Sequence, residues 1–251
     1  MNGWQAHGIK HSSVSQINSW EGNPALWMLE KLHKIKRPAS AAMWRGIVVE
    51  DACAEILTTG EGIKEATNKC LIKFDKQIGL LSDEKSEKER AAIPDMVELA
   101  VDQLAKFGKP DFSVDGGQQK VTIDCKGDGW TLPIIGFLDF VYPEHGLVVD
   151  LKTTMKMPSK MSAGHRRQRC FYEKCMGNIS VKFLYVTPKK TGWLEDGDVE
   201  EELAAIKATL NRQEKFLALG DKDLLTSIVP VDPGHFFWGG AVEERKKYFG
   251  V

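Results

Sequence analysis

Two aspartates in this 251-residue chain draw attention because a short turn would bring them together. Residues 134–142 and 147–153 read as apolar strands, and Pro143-Glu144-His145-Gly146 between them is a polar turn suited to a hairpin. With those four residues as the turn, Tyr142 pairs with Leu147, and the same register sets Asp139 directly opposite Asp150, side chains about 5 Å apart. Facing carboxylates repel unless a proton or a cation lies between them, and each sits in an apolar strand where a lone charge is costly. Oxygen ligands held on rigid strands suit Mg²⁺ or Mn²⁺. Lys152 follows two residues after Asp150 and so projects from the same face. Beside a carboxylate-bound cation it could orient or help deprotonate a water, and could neutralise charge developing on a phosphate. The alternative is a buried ion-pair network in which Lys152 only offsets the two acids.

A third carboxylate is available. Val49, Ala52, Cys53, Ile56 and Leu57 form an apolar helical stripe, and Glu50 lies at its edge, one turn after Gly46, where another backbone could approach closely. Standing alone, such a glutamate reads as a boundary residue in a surface salt bridge.

The elements that must position these groups follow from periodicity and caps. Ser13 and Gln16 have capping-box spacing, and Asn23-Pro24 offers an N-cap with proline at the first helical position. Helices are expected over residues 43–58, 62–78 and 83–107. The last two are rich in charge and read as a peripheral layer, with Pro94 kinking or breaking the second. From Gly116-Gly117 onward the pattern changes to a strand over 120–125, the hairpin strands, a helix over 162–176, a strand over 181–187 and a helix over 198–219. The order predicts a mixed α/β core in one domain spanning 1–251, with a helical insertion at about 60–110 after the first core helix.

With the residues in this order, the chain resembles the PD-(D/E)XK nuclease superfamily, in particular its RecB-like exonuclease branch. The resemblance rests on Arg45-Gly46-x-x-x-Glu50, Gly136-Phe137-Leu138-Asp139, Val149-Asp150-Leu151-Lys152-Thr153 and Gln168-x-x-x-Tyr172, between about residues 44 and 187. It implies a restriction-endonuclease-like αβββαβ core, a mixed sheet flanked by helices, and metal-dependent hydrolysis of DNA phosphodiesters. Matched position by position, Glu50, Asp139 and Asp150 are metal-binding acids, the Leu151 carbonyl is a further ligand, and Lys152 is the catalytic lysine. Gln168 and Tyr172 match the branch's glutamine–tyrosine motif. They share a helical face with His165, with Arg169 close by, and together with Arg45 these residues are candidates for gripping a DNA backbone. The branch further implies an exonuclease in recombination, repair or replication, frequent in bacteriophages, with a recombination or replication protein as candidate partner. Relatives that carry an iron–sulfur cluster have cysteine before the early proline. Here that residue is Asn23, and no cysteine follows Cys175, so no such cluster is expected. An endonuclease, and a DNA-binding module that has lost catalysis, are the competing readings.

Composition agrees with a soluble globular chain. Hydrophobic residues make up 42% and charged residues 27%, and no apolar run approaches the roughly 20 residues that span a bilayer. Five cysteines without a C-x-x-C pair point to reduced thiols in a cytoplasmic protein. The net charge of −1 hides an asymmetry: residues 151–190 hold ten Lys or Arg and one acid, Glu173, for +9 against −10 elsewhere. Such a segment suits a polyanion or a merely solvated surface. His7 and His11 read as part of a frayed terminus, His145 as a turn residue, and Phe236-Phe237-Trp238 as core more than as a base-stacking platform.

Overall fold

The computed structural model describes residues 2–36, 38–79, 84–112, 118–123, 129–177 and 179–251. Three short helices and one long one come first: α1 (Gly3–Ala6), α2 (Val14–Gly22), α3 (Pro24–Lys31) and α4 (Ala41–Thr59). Ser13 and Asn23 cap the helices they were expected to start, and Ser40, not anticipated, caps α4. Ser13 accepts from the Gln16 N–H, Asn23 from the Leu26 N–H ahead of Pro24, and Ser40 from the Met43 N–H. Then come α5 (Ile63–Ile78), α6 (Ser86–Ala91) and α7 (Ile93–Leu104). The expected helix over 83–107 is therefore split at Ala92, two residues before Pro94, whose ring clashes with a continuing helix behind it.

Strands β1 (Gln119–Ile123) and β2 (Ile134–Leu138) form an antiparallel pair. A four-stranded sheet follows, in spatial order β3 (Phe140–Tyr142), β4 (Leu147–Thr153), β5 (Ser180–Val186) and β6 (Thr191–Leu194). The β4–β5 pair is parallel and the other two are antiparallel. Parallel neighbours need a crossover, and α8 (Ala163–Met176) supplies it. The long α9 (Val199–Leu217), α10 (Lys222–Ile228) and α11 (Val242–Phe249) complete the chain. The expected mixed α/β core is present; β6 was not anticipated, because Thr191-Gly192-Trp193-Leu194 is too short and too broken by glycine to show alternation.

Two apolar clusters clamp the sheet. Leu147, Val149 and Leu151 of β4 pack with α4, α5 and α7, while Val148, Phe183 and Tyr185 pack with α2, α3, α8 and α9. Asp150 and Lys152 share the parity of Val148 and so project to the α8 side of the sheet. The peripheral reading of the insertion is corrected for α7. Ile93, Met96, Val97, Ala100, Val101 and Leu104 are all buried, at 3.6-residue spacing, against α4 and the sheet. The N-terminus is likewise not frayed: Trp4 is buried in the core and His7 Nε2 lies 3.0 Å from the Leu217 carbonyl. Trp238 is buried, as expected, and its indole donates to the Asp232 carbonyl. Cys53, Cys70, Cys170 and Cys175 are free thiols; Cys125 and Gly116-Gly117 lie outside the described residues.

Candidate active site

The hairpin register is the expected one from Tyr142–Leu147 through Val141–Val148 to Phe140–Val149, closed by Gly146 at φ 55. It stops there. Asp139 sits at a bend between β2 and β3, so it does not pair across from Asp150. Its carboxylate turns along the sheet instead, and Oδ2 accepts the Leu151 N–H at 2.9 Å. The bend satisfies a buried backbone donor with a charged acceptor, a stronger bond than a neutral pair provides. Asp139 is 7% exposed and Asp150 fully buried.

Glu50 reaches the same place from α4. Gln118, just ahead of β1, donates its side-chain amide to Glu50 Oε1 at 2.6 Å and to Asp139 Oδ1 at 2.8 Å. Asp150 is ion-paired with Lys152 through Oδ1 and accepts from Gln168 Nε2 through Oδ2 at 3.1 Å. Gln168 also donates to the Tyr172 hydroxyl at 2.9 Å, and that hydroxyl donates to the Phe137 carbonyl at 2.7 Å. The glutamine–tyrosine pair thus ties α8 to β2 and to Asp150. Gly136 permits this closeness, since a Cβ there would stand 2.6 Å from the Tyr172 ring and 2.7 Å from the Phe171 ring. Gly46 is less demanding: the nearest atom to an added Cβ is Thr153 Oγ1 at 3.4 Å, an ordinary contact.

The electrostatics are those of acids in excess. Burial pushes the Glu50 carboxyl up to about 7, with Asp150 adding to the shift and the Gln118 hydrogen bond opposing it. Asp139 is held well above the carboxylate range by burial and by Asp150 and Glu50. Asp150 is raised by burial against the pull of Lys152. Burial draws the Lys152 ammonium down, but Asp150, Asp139 and Glu50 together outweigh it and hold its pKa above the usual value. Lys152 is therefore a fixed cation rather than a free base. Three acids around one lysine cannot all ionise without a further cation, so they hold protons until a divalent ion takes the protons' place.

The donor set fits such a cation, being hard carboxylate oxygens backed by rigid strands. The side chains are not drawn into a cage: among the described residues no group of three or more His, Cys, Asp or Glu is arranged to hold a metal ion. Gln118 stands between Glu50 and Asp139, and Lys152 and Gln168 occupy Asp150. Glu50 and Asp139, with Lys152, line a cavity of about 400 Å³ together with Ser13, Gln16, Phe137 and Tyr172, while Asp150 lies buried behind Lys152. The N-terminal segment reaches it because Ser12 bonds through its backbone to Pro133 and Ile135, beside β2.

Two residues expected on the DNA backbone are elsewhere. Arg45 is 4% exposed, ion-paired with Glu89 of α6, and donates to the Thr153 carbonyl and hydroxyl. Arg169 is 7% exposed, paired with Glu173, and donates to the carbonyls of Asp196 and Gly197. Both guanidiniums bind internal carbonyls and a carboxylate, which leaves them no role as exposed phosphate ligands. His165 does stay near the site. Its Nδ1 lies 2.5 Å from the Tyr185 hydroxyl, and burial, with Lys152 nearby, pushes its pKa down to about 4, so it is neutral at neutral pH. The +9 segment is also partly spent internally: Lys152, Arg166, Arg167, Arg169 and Lys182 are each ion-paired, while Lys156, Lys160, Lys174, Lys189 and Lys190 take part in none of the ion pairs among the described residues.

Gln118 and Tyr185 were missed by the sequence reading. Nothing in the composition around Gln118 marks it. Tyr185 was within reach, because the parallel register sets it beside Lys152, and a tyrosine in an apolar strand at that parity must face the same side.

Comparison with known proteins adds the following. A family model described as the PD-(D/E)XK nuclease superfamily matches residues 11–219. Among solved structures, that of SSO0001 is similar at 14% identity and a TM-score of 0.36, over 66% of this chain and 85% of that one. No curated protein matches.

Proposed function

Because the chain belongs to the PD-(D/E)XK nuclease superfamily, we propose that it is a metal-dependent deoxyribonuclease working through Glu50, Asp139, Asp150 and Lys152. Members of the superfamily are in general hydrolytic nucleases that act on DNA and use divalent ions such as Mg²⁺ or Mn²⁺. The observation that carries the reading is the set of three carboxyl groups, Glu50, Asp139 and Asp150, gathered around the half-buried cation Lys152, with Glu50, Asp139 and Lys152 facing the 400 Å³ cavity.

Glu50, Asp139, Asp150 and the Leu151 carbonyl are the oxygens that would hold one or two ions. A divalent cation bound there supplies polarisation of the scissile phosphate and a water of lowered pKa. Lys152 sets a fixed positive charge where negative charge develops on the phosphoryl oxygens, the kind of preorganised stabilisation that counts most in a water-poor site. Gln168 fixes Asp150 Oδ2, and Tyr172 fixes Gln168, so the acid cannot swing away. The oxygen of water would bond to phosphorus as one ester P–O bond breaks, the water giving up a proton to solvent and the leaving sugar oxygen taking one up as a hydroxyl.

The Gln168–Tyr172 pair beside Asp150 supports placement in the RecB-like branch. Within that branch we read the chain as an exonuclease of recombination, repair or replication, cytoplasmic, phage-encoded, and forming one nuclease domain over residues 1–251 with no iron–sulfur cluster. Among the described residues no helix is long and apolar enough to cross a membrane. Incubation with Mg²⁺ and either end-labelled linear or covalently closed circular DNA tests the reading. Release of label from the linear ends with the circle intact is the expected result. Cutting of the circle would make it an endonuclease, and no cleavage of either with Mg²⁺ or Mn²⁺ would leave only a binding module.

A further inference from the structure

Lys152 is a wall between two cavities. One is lined by Glu50 and Asp139. The other, of about 360 Å³, lies on the far side of Lys152 and is lined by Lys152, Thr154, Pro158, Lys160, His165 and Tyr185 among others. The two differ in charge. Glu50 and Asp139 line the first, whereas the second has two lysines and no carboxylate among its lining residues. A cavity of that composition does not attract a metal ion; it attracts an anion.

The remaining lining narrows the ligand. Lys160 is exposed and takes part in none of the ion pairs among the described residues, so its charge is available, unlike those of Arg45 and Arg169. The half-buried His165 ring, backed by the buried Tyr185 at 5.6 Å between centroids, gives an aromatic edge, and Pro158 adds an apolar one. A lysine and hydroxyls beside aromatic faces suit a phosphate joined to a planar base. The volume lies at the lower end of the range for small-ligand sites, enough for a nucleotide and more than a bare phosphate needs.

We propose that this second cavity seats the nucleotide next to the cleaved bond, with Lys160 on its phosphate and His165 and Pro158 beside its base. The proposal rests on the nuclease reading, and it names what that reading leaves open: a substrate recognised by one flanking nucleotide without a metal ion. Lys152 then serves both cavities, offsetting the acids on one side and bordering the flanking nucleotide on the other.

The test uses single-stranded oligonucleotides in which one linkage at a time, on either side of the scissile one, is a neutral methylphosphonate. KM and kcat are measured in Mg²⁺ for the wild-type protein and for Lys160→Ala. The expected result is one position at which the neutral linkage raises KM several-fold in the wild type and has no effect in Lys160→Ala, with kcat unchanged by the variant. The salt slope of binding, taken in Ca²⁺, should fall by about one unit in Lys160→Ala. Tyr185→Phe removes the hydroxyl that meets His165 and keeps the buried ring, so KM for the unmodified strand should stay near wild type, whereas His165→Ala should raise it. Equal sensitivity to Lys160→Ala at every linkage, or no change in KM, overturns the subsite while leaving the nuclease standing. A wild-type protein that cleaves no DNA overturns both.

Discussion

Among the described residues, charge is buried on two opposite terms. Around Arg45 and around Arg169 every buried cation meets a carboxylate and backbone carbonyls: Glu89 and Thr153 for the first, Glu173, Asp196 and Gly197 for the second. At the end of β4, Glu50, Asp139 and Asp150 share one lysine. The first arrangement is neutral and closed, so it holds elements together: α4 and α6 to β4, and α8 to the segment before α9. The second has more acids than cations and opens to a cavity. A buried ion pair is a poor investment for stability compared with apolar packing, but breaking one is expensive. A cluster of unbalanced acids is worse than either for the folded chain alone, and its persistence makes sense when something else supplies the missing charge.

That contrast can be broken at either end. The largest expected effect is at the closed one: Arg45→Ala strands Glu89, which is itself buried, and should cost about 3–5 kcal/mol in denaturant unfolding. A cost below about 1 kcal/mol would mean that the pair is solvated and that the two regions do not differ as described. At the open end, Lys152→Ala should leave a folded protein with kcat for DNA cleavage lowered about 10²–10³-fold, the range for loss of one preorganised electrostatic contact. Wild-type turnover in that variant would reduce Lys152 to a counter-ion and make the open region another closed one.

Acidity sharpens the comparison further. Glu50 titrates near 7 in the folded protein against an ordinary 4.5, so between those values the folded state holds a proton that the unfolded chain has released. The metal-free protein therefore gains stability from Glu50 as pH falls through 7 and loses it as pH rises. His165 acts in the opposite sense, losing stability as pH drops below its ordinary 6.5 toward about 4. Because His165 is common to both proteins, the difference between wild type and Glu50→Gln isolates the glutamate. That difference should change by on the order of 2 kcal/mol between about pH 8 and about pH 5. A pH-independent difference would place Glu50 in ordinary solvent. The smallest expected effect is at Arg169: Arg169→Ala, measured on folded protein, should leave the salt slope of DNA binding unchanged, because its guanidinium is already committed to internal partners.

How far the sequence disclosed this follows from which forces are local. Caps and hydrophobic periodicity act within a few residues, and Ser13, Asn23, Ser162 and Asp198 start helices where their types and neighbours place them. The hairpin register was legible as far as Phe140–Val149, because turn length fixes it. It failed at Asp139, where a tertiary bond to the Leu151 N–H overrides strand pairing. The helix α7 looked peripheral because charge count was weighed above the spacing of its apolar residues. The arginines misled for a related reason: a basic residue beside a motif reads as a DNA ligand until its acid is found, and Glu89 lies 44 positions from Arg45 in a different helix. Long-range partners of this kind, Gln118 included, leave no local trace.

The central claim is that the acids at the end of β4 hold a divalent cation and use it to cut DNA. Calorimetric titration of Mg²⁺ and Mn²⁺ into the wild-type protein and into Asp150→Ala, alongside cleavage of end-labelled DNA, tests it most directly. Asp150→Ala should lose both the binding isotherm and the cleavage while its unfolding transition stays cooperative. Unchanged metal affinity in a folded Asp150→Ala protein would contradict the claim.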